Sequence, residues 1–161
     1  MMSKWGATVR GIIAVNDRIL TARRAPTKSS YPGIYELPGG WVEFGEGLEI
    51  ALIREFREEL NLTVRVSGIV AARTAIVEGC CIVELHYWVE PLQPLARIVL
   101  DRRDHSALRW WTYQDFLREW QTDHPDYLAM VQAFDELCRA RSNSPKITTT
   151  AGPAAACFGA D

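Results

Sequence analysis

The sequence predicts an α/β (α+β) domain in which sheet lies between helices, and three observations carry that reading. Residues 8–15 and 18–23, on either side of the turn signal Asn16-Asp17, read as a strand hairpin. Residues 47–60 repeat apolar side chains at helical spacing, with Leu52, Phe56 and Leu60 on one stripe. Two more strand patterns follow at 64–76 and 81–90, and the chain then closes on a second amphipathic helix.

Taken in order, residues 25–33 hold two prolines and Ser29-Ser30 and form a loop after the hairpin. The stretch Leu37-Pro38-Gly39-Gly40-Trp41-Val42-Glu43-Phe44-Gly45-Glu46 places glycine where a chain turns sharply or lets a ligand near its backbone. The helix after it ends at Asn61, a residue that tolerates the left-handed conformation of a helix C-cap. Residues 81–90 are dense in β-branched and aromatic side chains. Residues 109–112 form a short strand and 116–120 a brief helix. Pro125 opens the last helix at its permitted first turn, with Leu128, Val131, Phe134, Leu137 and Cys138 as the buried face. Helix is therefore expected on both sides of the sheet. Residues 1–141 make one domain, and the small, polar, Pro/Gly-containing residues 142–161 read as a disordered or extended tail.

A chain of 161 residues closes a proper core without disulfides or structural metal. The net charge of −2 excludes a general electrostatic footprint for nucleic acid or membrane, so no extended nucleic-acid surface is expected. The four cysteines, Cys80, Cys81, Cys138 and Cys157, lack metal-ligand spacing, which suits a reducing, cytoplasmic compartment. No secretory signal and no bilayer-spanning apolar run is seen. A monomer and a homodimer both fit the sequence.

The chemistry is concentrated between Gly40 and Leu62. At about 100° per residue, Glu55, Glu58 and Glu59 share one sector of the helix, beside the sector of Leu52, Phe56 and Leu60. One stripe anchors the helix and its neighbour carries charge. Three carboxylates within a turn repel one another unless a cation sits among them, and hard oxygen ligands suit Mg²⁺ or Mn²⁺. A carbonyl from the glycine loop could add another such ligand.

Gly40, five residues, Glu46, seven residues, Arg54-Glu55-Phe56, then Glu58, Glu59, Asn61 and Leu62 resemble the Nudix box, with Asn61 where the family has glycine. The resemblance covers roughly residues 8–141 and is specific within 39–62. It implies an α/β/α sandwich with a mixed β-sheet between helices, and metal-dependent attack of water on a nucleoside diphosphate derivative. It also implies Glu58 and Glu59 as core metal ligands, the Gly39 carbonyl and Glu55 completing the shell, and Arg54 orienting a box glutamate. Glu55 is the first choice of general base and Asp104 the second, with Asp101 in the same loop as its competitor. Glu46 reads as structural, satisfying backbone donors of the loop. His105 could serve as a base or as a polar contact.

Outside the box, Arg23-Arg24-Ala25 matches a phosphate-contacting segment of mutator-type triphosphatases in this family. Tyr35, Trp41, Trp88 and Trp110 are candidates for stacking on a base, with core or rim packing as the alternative. Marks of the ADP-ribose and dinucleoside polyphosphate subfamilies are absent at Val77-Glu78-Gly79. The expected substrate is a nucleoside triphosphate, cleaved to monophosphate and pyrophosphate. A nucleotide sugar or other nucleoside diphosphate derivative is the alternative, and a non-catalytic nucleotide sensor a further one.

Overall fold

The computed structural model describes residues 4–77 and 79–143. Their elements run β1 (Lys4–Ile12), β2 (Ala14–Val15), β3 (Arg18–Arg24), β4 (Tyr35–Glu36), β5 (Gly39–Trp41), α1 (Leu48–Leu60), β6 (Val64–Val77), β7 (Cys80–Pro91), β8 (His105–Trp111), α2 (Tyr113–Glu119) and α3 (Tyr127–Asn143). A single 3-10 turn, Leu95–Arg97, precedes β8. One sheet has the order β5-β1-β7-β6, and its β1–β7 pair is parallel while its other pairs are antiparallel. In the other, β3 pairs with β2, β4 and β8, all antiparallel.

The first predicted strand is in fact two. It breaks at Ile13, whose carbonyl accepts the Leu20 N–H at 3.0 Å. Ile12 and Ile13 are both buried, yet Ile12 belongs to the core under α2 and α3 and Ile13 to the core under α1. The corner lets β1 sit in one sheet and β2 in the other. Asn16 and Asp17 turn back with φ of 50° and 59°, two consecutive left-handed residues of the kind a two-residue hairpin requires.

α1 packs its apolar stripe against Val9, Leu62, Tyr87 and Val89 on one side of the molecule. Phe56 lies so close to Gly11 that a Cβ there would fall 2.4 Å from its ring. The helix ends at Asn61 with φ 51° and ψ 36°, and the Asn61 amide donates to the Arg57 carbonyl at 3.1 Å. The left-handed cap is thus met by asparagine.

On the opposite side α2 and α3 cover Ile12, Ile19, Leu37, Ala71 and Trp111. Thr112 caps α2, accepting the Asp115 N–H. α3 begins two residues after Pro125, so the proline precedes the helix rather than opening it. Its buried face is Ala129, Met130, Ala133 and Phe134. Val131 and Leu137 pack at the margin of that core, while Leu128 is half exposed and Cys138 lies on the surface. The helix also carries through Ser142 and Asn143, past the predicted domain end at 141. The remaining predicted tail, including Cys157, lies outside the described residues. Cys80, Cys81 and Cys138 are free thiols, and no described helix is long and apolar enough to cross a membrane.

Candidate active site

A cleft of about 440 Å³ opens where β5 meets the acidic face of α1. β5 is held by β1 in the register Arg10↔Gly39, Val9↔Gly40 and Thr8↔Trp41. At Gly39, φ is 142° and a Cβ would lie 2.1 Å from the Val9 carbonyl oxygen, so only glycine fits. At Gly40 a Cβ would lie 2.5 Å from Glu55 Oε1, so the missing side chain is what lets that carboxylate rest on the strand.

The three box carboxylates occupy different surroundings. Glu59 is 8% exposed and accepts the Gly39 N–H at 2.9 Å; burial pushes its carboxyl well above the ordinary range, which the Gly39 bond only partly offsets. Burial also raises Glu55, against the pull of Arg54. Glu58 reaches solvent.

Arg54 organises the group. Its Nε and Nη2 donate to the two oxygens of Glu46, each at 3.0 Å, and Nη2 also donates to the Trp41 carbonyl at 2.9 Å. Its Nη1 reaches Glu55 at 2.8 Å and Glu58 at 3.1 Å. Glu46 accepts the Glu43 N–H as well, so it stitches the glycine loop to the helix. Among the described residues no three acidic, histidine or cysteine side chains converge tightly enough to hold an ion as they stand. The donors are nonetheless hard oxygens on one helical face, and Arg54 and the Gly39 amide take up the charge that a cation would neutralise.

Asp104 also lines the cleft, just before β8, and pairs with Lys28 from the 25–34 loop. Asp101 turns instead to Arg103, which holds it down to about 2. The predicted strand 109–112 begins earlier, at His105, so this histidine lies buried beneath the cleft rather than in a loop. Its Nε2 is 3.3 Å from Glu36 and its Nδ1 3.9 Å from Glu59.

The predicted binding residues separate. Arg24 lines the cleft while bonding to Glu36 at 2.8 Å, and Trp41 stands half exposed at its mouth. Arg23 lies elsewhere, its Nε donating to the Gly33 carbonyl at 2.9 Å. Trp88 is also away from the cleft, its indole N–H donating to Glu136 at 2.6 Å on α3. Trp110 packs at the edge of the core under α1. Tyr35 lines a second cavity, of about 390 Å³, with Trp111, Trp120, His124 and Arg109. There Tyr35 meets Trp111 edge-on at 5.4 Å, and the Arg109 guanidinium lies 3.7 Å over the Trp111 ring.

This geometry coincides with a family match, the NUDIX domain, over residues 4–131. The chain belongs to the Nudix hydrolase family. It is a pyrophosphohydrolase of nucleoside diphosphate derivatives. The CTP pyrophosphohydrolase of Escherichia coli (strain K12) is 35% identical over 83% of this chain and 93% of its own. An ADP-ribose pyrophosphatase of Methanocaldococcus jannaschii is 39% identical, over 38% of this chain and 35% of its own. Among solved structures, the E. coli ORF135 protein superposes with a TM-score of 0.68 at 26% identity, covering 89% of this chain and 96% of its own.

What this Nudix domain adds to the sequence reading is a buried charged layer behind the box. Arg10 Nη1 donates to the Leu37 carbonyl at 2.7 Å and to Glu36 at 3.2 Å. Asp126 accepts the Leu37 N–H at 2.8 Å and meets His86 Nε2 at 3.2 Å. The one signal in the sequence was Arg10, since a charged residue inside the predicted strand 8–15 needs a partner wherever that strand is covered.

Proposed function

We propose that this chain is a Mg²⁺-dependent nucleoside triphosphate pyrophosphohydrolase, releasing a nucleoside monophosphate and pyrophosphate, with Mn²⁺ able to substitute. The carrying observation is that one loop borders two cavities of opposite character. Lys28 faces the acidic cleft, while Tyr31, Gly33 and Ile34 face the aromatic pocket. A nucleotide has the same two halves, a polyphosphate and a flat base that stacks on aromatic rings. The extent of the likeness to an enzyme named for CTP supports a triphosphate substrate.

In this reading Glu58, Glu59, the Gly39 carbonyl and Glu55 would hold the metal. Bound there, Mg²⁺ would neutralise phosphate oxygens and lower the pKa of the attacking water. Glu55 accepts that water's proton, its affinity for protons raised by burial and its orientation set by Arg54. The water oxygen bonds to phosphorus, the bond between the α- and β-phosphates breaks, and pyrophosphate leaves. Asp104 is the second choice for the proton. Arg24 stays beside the phosphates, and Tyr35, rather than Trp88, sits with the base.

The test is product analysis on a panel of nucleoside triphosphates, nucleotide sugars, ADP-ribose and dinucleotides with Mg²⁺, beside Glu58→Gln. Monophosphate and pyrophosphate from a triphosphate, lost in the variant, is the expected result. Turnover of sugars or ADP-ribose with no monophosphate from any triphosphate would replace this reading by the nucleoside diphosphate derivative.

A further inference from the structure

Among the described residues four cations line the acidic cleft, Arg10, Arg24, Lys28 and Arg54, and three of them are committed. Arg10 is spent on Glu36, Asp126 and the Leu37 carbonyl. Arg24 holds Glu36, the Ser30 carbonyl and the Ser30 hydroxyl. Arg54 makes five bonds within the box. Lys28 differs, because its ammonium contacts Asp104 and its side chain is 34% exposed.

We propose that Lys28 is the residue that grips the substrate's phosphates, and that its pair with Asp104 is a placeholder exchanged for phosphate when substrate enters. The inference rests on the reading that this cleft receives a polyphosphate. Three features carry it. The Lys28 backbone is anchored, its N–H donating to the Ala25 carbonyl at 3.1 Å, while its four-carbon stem stays free to swing. An ion pair this open to solvent is weak, so leaving it costs little. The loop that carries Lys28 into the acidic cleft also borders the aromatic pocket through Tyr31, Gly33 and Ile34, which ties the place for the phosphates to the place for a base. The exchange strips Asp104 of its counter-ion in the cleft that Glu55 also lines, so one event both holds the phosphates and frees a carboxylate there.

Calorimetric titration of inorganic tripolyphosphate into metal-free protein, with EDTA present, tests this without turnover. Lys28→Met is expected to weaken binding about fivefold, the scale of one partly exposed charge pair. Lys28→Arg is expected to keep it. Asp104→Asn is expected to tighten binding, because Lys28 is then unencumbered, and this gain is expected to vanish in the Lys28→Met, Asp104→Asn double variant. Wild-type affinity in Lys28→Met, no binding by the wild type, or an equal gain from Asp104→Asn with and without Lys28 would each overturn the exchange. Hydrolysis of nucleotide sugars alone, with the Lys28 effect intact, would overturn the triphosphate reading and leave this one standing.

Discussion

The Asp126 carboxylate, at the start of α3, accepts the backbone N–H of Leu37 at 2.8 Å, so the second helical layer holds the strand that leads into Gly39 and Gly40. Asp126 also faces Arg10 and His86; His86 and Asp126 are buried and the Arg10 side chain is largely covered. Burial alone would raise its pKa, but Arg10, His86 and the Leu37 N–H together hold it well below the usual carboxylate range. A depressed folded pKa means that the contribution is complete above the unfolded value of about 4 and is lost as pH falls towards the folded one. Asp126→Ala leaves Arg10, His86 and the Leu37 amide without their shared acceptor, and is expected to cost about 3–5 kcal/mol. Urea unfolding checks it: an unchanged midpoint would show that the network holds nothing.

Gly40 and Gly39 give opposite expectations for the same change. In Gly40→Ala the atoms nearest the new methyl are all in the carboxyl group of Glu55, a side-chain end that can give way, so the fold survives and the carboxylate moves off the strand. Turnover is expected to fall roughly 100-fold, as for a displaced catalytic group, with little change in thermal midpoint. In Gly39→Ala the methyl meets the Val9 carbonyl and the backbone needs φ of 142°, so the protein itself should be lost from the soluble fraction. Full activity in Gly40→Ala would remove Glu55 from the reaction.

Glu59 makes stability depend on pH in the sense opposite to Asp126. Burial raises its folded pKa, so between the unfolded value of about 4.3 and the raised one the native state binds more protons, and stability falls as pH rises. Glu59→Gln is expected to flatten that slope in metal-free protein. A metal needs the carboxylate deprotonated, so the rise in thermal midpoint on adding Mg²⁺ is expected to grow with pH. An increment that stays constant as pH rises from the unfolded value of about 4.3 upwards would sever Glu59 from the metal.

What the sequence made legible is what depends on local spacing. The three acids on one helical sector, the two left-handed turn residues and the Asn61 cap all follow from neighbours within a few positions, and the helices and most strands lie close to their predicted places. Burial across the sheets was not legible. Ile12 and Ile13 read as one strand because nothing local says that each faces a different core. Trp88 looked like a stacking residue because its partner Glu136 lies 48 residues away. Lys28 and Asp126 gave no motif at all, since their meaning comes from what the fold brings against them.

Arg54 supplies the last expectation. Its flat guanidinium has five N–H donors, and the two aimed at Glu46 are parallel, which fixes the plane from which Nη1 reaches Glu55 and Glu58. Lysine keeps the charge but brings a single nitrogen, which cannot span both Glu46 oxygens and still contact Trp41 and Glu55. Arg54→Lys should therefore leave the net charge of the cleft intact and lose its geometry. Loss of a partner that orients metal ligands generally costs about 10–100-fold in metal affinity or activity. Mn²⁺ binding followed by electron paramagnetic resonance separates the two contributions. A tenfold or greater loss in Arg54→Lys assigns the effect to orientation, whereas wild-type affinity there, with a loss in Arg54→Ala, would mean that charge alone matters.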